Sequence, residues 1–141
     1  MDQHDYFSNI DVRFFDEVLL DELPFGVLQL DRTGKVLNYN EYESGLSGIP
    51  KRDVIGRNFF TEIAPCTDLQ EFRGEFEMLV NHKKARTTFR YYFPFPGNHR
   101  QVSITMVHSP QNGTVWVIVV DQDASRKAKE FLDNYRPASG L

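Results

Sequence analysis

The second half of the chain carries three segments in which apolar residues recur with the period of a β-strand. Apolar and aromatic side chains alternate with polar ones from Thr87 to Phe95 and again from Val102 to Met106. A Pro-Gly-Asn turn separates these segments, and a continuous apolar run from Val115 to Val120 follows an Asn-Gly turn signal. Three strands joined by tight turns predict an antiparallel sheet, and this limits the fold more than any other feature.

Two further strands are predicted upstream of these three. Residues 23–30 and 36–39 flank an Asp-Arg-Thr-Gly turn signal, so they should form a hairpin. The fold class is therefore α+β, with a five-stranded antiparallel sheet and helices that cover one of its faces.

Helical periodicity appears in three segments. Residues 10–20 should form an N-terminal helix in which Ser8 begins a capping box. Residues 69–80 should form the one long connecting helix, with N-caps at Thr67 and Asp68. A C-terminal amphipathic helix, residues 124–135, should project from the last strand and end before Pro137. Residues 41–65 are rich in glycine and proline, which permits only short helical turns and loops and favours a pocket there.

Composition excludes several classes of protein. The chain has 141 residues, one cysteine and four histidines without metal-ligand spacing, so one domain is expected, and a disulfide scaffold and a closed zinc site are excluded. The net charge of −4 comes without a basic block, so nucleic acid is not an expected partner. The N-terminus has no secretory apolar region and no apolar run could span a bilayer, so we expect a cytoplasmic protein that makes no membrane contact.

Three side chains could carry chemistry. Cys66 precedes the predicted long helix, whose N-terminus would lower the pKa of the thiol, although a lone cysteine is also commonly an inert core residue. Tyr39 ends the second predicted strand and Glu43 follows four residues later. Spacing alone leaves open that Tyr39 is a core tyrosine and that Glu43 is a solvated carboxylate.

Longer motifs give these residues a context. The sequence reads Phe-Gly-Val-Leu-Gln-Leu-Asp at residues 25–31, Gly-Lys-Val-Leu-Asn-Tyr-Asn at 34–40, Val-Ile-Gly-Arg-Asn-Phe-Phe at 54–60 and Ala-Pro-Cys-Thr-Asp at 64–68. From Pro24 to Val120 the chain resembles the photoactive yellow protein family of blue-light receptors, which have the PAS fold. The Ala-Pro-Cys-Thr-Asp motif is the most specific part of the resemblance.

The resemblance implies a chromophore site. Cys66 matches the cysteine that holds p-coumaric acid (4-hydroxycinnamic acid) as a thioester. Tyr39 and Glu43 match the pair that hydrogen-bonds the chromophore phenolate, and Ser47 matches the hydroxyl residue that supports Tyr39. Further positions of the motif and of the apolar pocket are matched by Phe59, Phe60, Ile63, Ala64, Pro65, Thr67, Phe93 and Val119.

The resemblance also implies a mechanism. Light drives trans-to-cis isomerisation, Glu43 then gives a proton to the phenolate, and the stranded carboxylate triggers partial unfolding of the N-terminal segment. The implied domain organisation is an N-terminal helical cap (residues 1–22), a PAS core (23–121) and a C-terminal signalling or linker helix with a tail (122–141).

Two sites depart from the family pattern. Ile49 stands where the best-studied members have an arginine over the chromophore ring, with Arg52 three residues further on. Gly97 stands where they have a methionine, and Phe95 replaces a nearby tyrosine. The resemblance implies that these changes affect the absorption maximum and the rate of dark recovery, and leave attachment of the chromophore unchanged.

Other functions are open from the sequence. The main alternative is a chromophore-free PAS module for protein interaction, with a homodimer formed through the C-terminal helix. A flavin site would need a cysteine where Phe59 stands, and haem would have only His82 as an axial ligand. No histidine is paired locally with Cys66, so an enzyme is not expected. The signalling partner is an unidentified downstream protein.

Overall fold

A five-stranded antiparallel sheet forms the centre of the molecule. The computed structural model describes residues 10–16, 19–95, 98–121 and 125–134. The strands, in chain order, are β1 Gly26–Leu30, β2 Val36–Tyr39, β3 Arg86–Phe95, β4 Asn98–Ser109 and β5 Thr114–Asp121. The strand order across the sheet is β2-β1-β5-β4-β3, and each neighbouring pair is antiparallel. The predicted hairpin and the three later strands are confirmed.

Strand β5 is apolar from Val115 to Val120, and this part of the strand is covered on both sides. Val115, Val117 and Val119 belong to the larger core cluster on one face of the sheet. Trp116 and Ile118 belong to a second cluster on the opposite face. Side chains alternate between faces along a strand, so a strand buried on both faces loses the apolar and polar alternation.

The second face is covered by the two ends of the described chain. Ile10, Phe15 and Leu23 are buried in the second cluster, and the Phe15 ring centroid lies 4.9 Å from that of Trp116. Ala128 of the last helix is buried in the same cluster. The N-terminal segment and the last helix therefore lie on the face of the sheet opposite the larger core cluster.

The helices are shorter and more varied than expected. They are α1 Glu41–Ser47, α2 Glu75–Val80 and α3 Ser125–Asn134. Single 3-10 turns occupy Val12–Asp16, Leu20–Glu22, Lys51–Asp53 and Pro65–Thr67, and π-helical segments occupy Phe59–Ile63 and Gln70–Gly74. The predicted N-terminal helix is two 3-10 turns within the described residues, and Ser8, Glu17 and Val18 lie outside them.

The long connecting helix begins later than its predicted caps. Its helical residues run from Gln70 to Val80, first as the π-helical segment and then as α2. Thr67 does not cap it, because Pro65–Thr67 forms a separate turn in which the Thr67 hydroxyl donates to the Ala64 carbonyl, 2.7 Å away.

Helix α3 folds back instead of projecting. Ala128 is fully buried, and Phe131 packs against the second cluster with its ring centroid 6.2 Å from that of Phe25. Ala124, Tyr135 and Pro137 lie outside the described residues. None of the helices in the described ranges is both long and apolar enough to cross a membrane.

Candidate chromophore site

Helix α1 places the acidic residue of the site and is fixed to the sheet by its N-cap. The Asn40 Oδ1 accepts hydrogen bonds from the Glu43 and Val27 amides at 3.1 and 3.0 Å. The Asn40 Nδ2 donates to the Phe25 and Leu20 carbonyls. An asparagine at this position satisfies an otherwise unpaired amide of the first helical turn, and Gly48 ends the helix in the left-handed conformation.

Tyr39 lies at the end of β2 with its hydroxyl beside α1. The side chain is buried, its hydroxyl is hydrogen-bonded to the Ser47 Oγ, and it lies 3.4 Å from the Glu43 carbonyl. Burial raises the pKa of the phenol, as does the nearby Glu43 carboxyl. Tyr39 therefore keeps its proton at neutral pH and can donate a hydrogen bond. The structure brings together the predicted Tyr39, Glu43 and Ser47.

Glu43 is buried, in contrast to the solvated carboxylate that its spacing alone allowed. Among the described residues, no hydrogen-bond partner faces its Oε1. The carboxyl lies against β1 at Gly26, where an added Cβ would overlap Oε1. Burial, with a smaller contribution from the negative charge of Asp121, raises the pKa of Glu43 to about 8. The group is therefore mostly neutral at pH 7 and can act as a proton donor.

Cys66 lies in the 3-10 turn Pro65–Thr67, half-buried against the larger core cluster. Tyr91 donates its hydroxyl hydrogen to the Cys66 carbonyl, which fixes the backbone of this turn. Burial raises the pKa of the thiol. The prediction of a lowered pKa is wrong, because the single turn ends before the helix and carries little dipole to favour a thiolate.

The predicted apolar residues assemble around these groups. Tyr39 shares the larger core cluster with Phe59, Phe60, Ala64, Phe93 and Val119, and Ile63, Ile49 and Cys66 pack against it. Ile49 therefore supplies apolar contact at the position of the expected arginine, whereas Arg52 is exposed. Two of the predicted residues, Pro65 and Thr67, belong to the 3-10 turn that carries Cys66 and not to the apolar cluster. Pro65 is exposed, and Thr67 is buried and donates its hydroxyl hydrogen to the Ala64 carbonyl. Gly97 and the Phe95 side chain lie outside the described part.

A small cavity beside Glu43 contains residues that the sequence interpretation missed. Its walls are Glu43, Leu46, Ser47, Phe93, Arg100, Val102 and Val119. The side chains close it to about 10 Å³, roughly the space of one water, so an aromatic ring enters only if they move apart. Strand alternation could have identified Arg100, because it lies two residues before Val102 and shares its face.

The similarity to known proteins decides the family. A PAS-fold family model matches residues 15–123. The photoactive yellow protein of Halochromatium salexigens is 40% identical over 100 residues, which cover 71% of this chain and 80% of that protein. The one from Cereibacter sphaeroides is 41% identical over 97 residues, covering 69% of this chain and 78% of that protein. The chain belongs to the photoactive yellow protein family.

A solved structure agrees with this assignment. The photoactive yellow protein domain of the sensor histidine kinase Ppr from Rhodospirillum centenum has a TM-score of 0.72 and 36% identity. The match covers 77% of this chain and 98% of that chain. The PAS fold is therefore confirmed, and sensory domains of this type connect to signalling proteins.

Membership in the photoactive yellow protein family implies a bound chromophore, and the residues present fit one with a polar end. The buried Glu43 Oε1 lacks a partner among the described residues, and the Tyr39 hydroxyl lies 3.4 Å from the backbone carbonyl of the same residue. Cys66 borders the apolar cluster that contains Tyr39. A thiol, apolar side chains and two protonated oxygen donors are therefore present in the part of the molecule that would hold such a group.

Proposed function

We propose that this protein is a blue-light photoreceptor whose chromophore is p-coumaric acid, held as a thioester on Cys66. The observation that carries the proposal is the buried Glu43 carboxyl, which has an oxygen without a partner among the described residues. A buried polar atom of this kind costs free energy unless something completes it. A ligand oxygen between Glu43 and Tyr39 would do so.

Tyr39 and Glu43 would hold this oxygen as a phenolate. A phenol in water has a pKa of about 10, so its ionised form at neutral pH needs strong hydrogen-bond donors. The protonated Tyr39 and the neutral Glu43 would both donate charge-assisted hydrogen bonds to it, and the aromatic side chains of the larger core cluster would limit competition from water. Ser47 orients the Tyr39 hydroxyl.

The chromophore supplies light absorption and trans-to-cis isomerisation. Glu43 would be the proton donor to a phenolate oxygen held there, and its own carboxylate would then be left in an apolar site close to Asp121. A buried charge without a partner costs several kcal/mol, which is comparable to the stability of a whole domain. The expected response is partial unfolding near α1.

The N-terminal segment, residues 10–16 and 19–22, is in direct contact with the start of α1, so we expect it to respond first to a charge on Glu43. Asn40, the N-cap of α1, donates to the Leu20 carbonyl at 2.8 Å, and Asp21 Oδ1 accepts from the Glu41 amide at 2.9 Å. Lys51 adds a salt bridge to Asp21 at 3.0 Å. A shift of the first turn of α1 would release the contacts of Asn40 and Glu41, leave Lys51 as the remaining contact of Asp21, and loosen the N-terminal segment for a downstream signalling protein.

We place the protein in the cytoplasm on chemical grounds. Thioester formation consumes a free thiol, and the cytoplasm keeps cysteine thiols reduced. The proposed activity is sensory rather than enzymatic. It involves neither nucleic acid nor a membrane.

The alternative is a PAS module without a chromophore that forms a homodimer through α3. Ala128 and Phe131 of α3 pack on the sheet of the same chain, so such a dimer would have to replace these contacts. In that case sedimentation would show a dimer, and removal of residues 122–141 would convert it to a monomer.

Attachment is tested by reconstitution. The full chain is incubated with p-coumaric acid as an activated acyl donor and analysed by mass spectrometry and absorption. We expect one coumaroyl group on Cys66, a new band in the blue region, and no stable adduct in the Cys66→Ala variant. An unmodified wild-type protein, or equal modification of the variant, would refute the proposal.

A further inference from the structure

A charged pair stands beside Glu43 on the same face of the sheet. Arg100 Nη1 lies 3.2 Å from Asp121 Oδ2. Asp121 is 5% exposed at its side chain and also accepts a hydrogen bond from the Tyr42 hydroxyl at 3.0 Å. Arg100 is 34% exposed, so the pair runs from the interior towards solvent.

Strand geometry directs both residues of this pair to the chromophore site. Val119 lines the cavity and Asp121 lies two residues further along β5, whereas Val102 lines it and Arg100 lies two residues earlier on β4. Side chains two apart on a strand share a face. Arg100 is itself a wall of the cavity that Glu43 lines.

We infer that this pair controls the ionisation of Glu43. Asp121 opposes loss of the Glu43 proton, and Arg100 is the cation that faces the Glu43 carboxylate once that proton has left. The inference rests on the proposed function for the role of that proton, and it makes Asp121 and Arg100 positioning residues that act through Glu43.

The two charges act in opposite directions on the same carboxyl group. Like charges disfavour a second carboxylate, and Asp121 adds to burial in raising the pKa of Glu43. A guanidinium has five N–H donors in a planar fork and can therefore contact two carboxylates at once. When Glu43 is neutral, Arg100 pairs with Asp121, and when Glu43 is ionised, Arg100 can bridge both groups.

The titratable and charged groups that face Glu43 come from four elements of the described structure. They are Tyr42 on α1, Tyr39 on β2, Arg100 on β4 and Asp121 on β5. Strand β1 contributes Gly26, which has no side chain. Burial raises the pKa of Tyr39, which therefore keeps its proton, so Arg100 and Asp121 are the charges among these groups that can shift the titration of Glu43.

The test is the titration of Glu43 in the full chain without chromophore. Glutamate labelled at its carboxyl carbon is followed by NMR over pH, and the Glu43→Gln variant assigns the signal. We expect Asp121→Asn, which keeps an oxygen for the Tyr42 hydroxyl, to lower the midpoint by about 1 pH unit or more. Arg100→Gln should raise it.

Matched charge changes on the exposed 3-10 turn Lys51–Asp53 provide the controls. Asp53→Asn and Arg52→Gln remove the same charges from exposed positions and should leave the midpoint at its wild-type value. Amide NMR spectra show whether each variant is folded. If Asp121→Asn does not fold, the test is made with Arg100→Gln, because Arg100 is the partly exposed member of the pair.

The result also separates this inference from the proposed function. A midpoint in Asp121→Asn or Arg100→Gln that matches its exposed control would overturn the inference, even in a protein that binds p-coumaric acid. Shifts in the expected directions would support it, even if reconstitution failed.

Discussion

The backbone of Gly26 is in close contact with the Glu43 carboxyl, and there is no room for a side chain at residue 26. An added Cβ on Gly26 would overlap Glu43 Oε1 and lie 3.2 Å from the Val119 Cβ. We expect Gly26→Ala to push the carboxyl out of place and to lower the free energy of unfolding by about 1–3 kcal/mol. Urea unfolding measures the change.

The matched control for this substitution is Gly45→Ala. Gly45 lies in α1, and an added Cβ there meets nothing within 4 Å. Alanine should stabilise that helix by up to about 1 kcal/mol. Equal effects of the two substitutions would contradict the close contact at Gly26.

The raised pKa of Glu43 makes the stability of the protein depend on pH. The pKa is about 8 in the folded chain and 4.5 in the reference state. Between these values the native state holds a proton that the unfolded state has lost, so stability is fully present below the lower value and falls as pH rises through the upper one.

Glu43→Gln should remove this dependence. Unfolding midpoints of wild type and variant are compared between about pH 5 and pH 9, and the wild type should lose stability relative to the variant by an amount on the order of a few kcal/mol. Parallel pH profiles would show that Glu43 titrates normally. The Glu62→Gln variant, changed at an exposed glutamate, serves as the control.

Sequence reasoning found most single residues of the site because Tyr39 and Cys66 lie in matched motifs and Glu43 follows Tyr39 by four residues. It missed Arg100 and Asp121, whose importance depends on which strands are neighbours. It also gave the wrong direction for the pKa of Cys66. That direction depends on whether a turn continues into a helix, which local N-cap patterns do not determine.

At the scale of elements, helix α3 is the clearest test of packing. Ala128 is fully buried against the sheet, so an aspartate there would place an unpaired carboxylate in the second core cluster. We expect Ala128→Asp to lower the free energy of unfolding by about 2 kcal/mol or more. Denaturant unfolding of the full chain measures it.

Asn134→Asp adds the same charge at an exposed position of α3 and is the control. Its effect should stay within about 0.5 kcal/mol. If both variants lost the same stability, α3 would not be docked as the structure shows.

Strand prediction succeeded because alternation and turn residues act locally. Helix prediction was weaker for a physical reason. The apolar spacing after Thr67 suits a helix, but Pro65 and the Thr67 hydroxyl hold a separate turn, and a π-helical segment precedes α2. The short helical turns expected between residues 41 and 65 are confirmed by α1, whose Asn40 cap also bonds to β1, a contact distant in the sequence.

At the scale of the whole molecule, the sheet separates two apolar layers that differ in what they contain. One layer holds the candidate chromophore site, and the other is covered by the N-terminal segment and α3. The sequence did not reveal the second layer, because an amphipathic helix shows an apolar face without showing what it contacts. The hydrogen bonds of Asn40 to Leu20, Phe25 and Val27 connect the site to the N-terminal segment.

The most direct test of light sensing is the absorption spectrum of the reconstituted full chain before, during and after blue illumination. We predict a blue-region band that bleaches in light and returns in the dark, with a shifted band and altered recovery in Glu43→Gln. A band that illumination leaves unchanged would contradict the account.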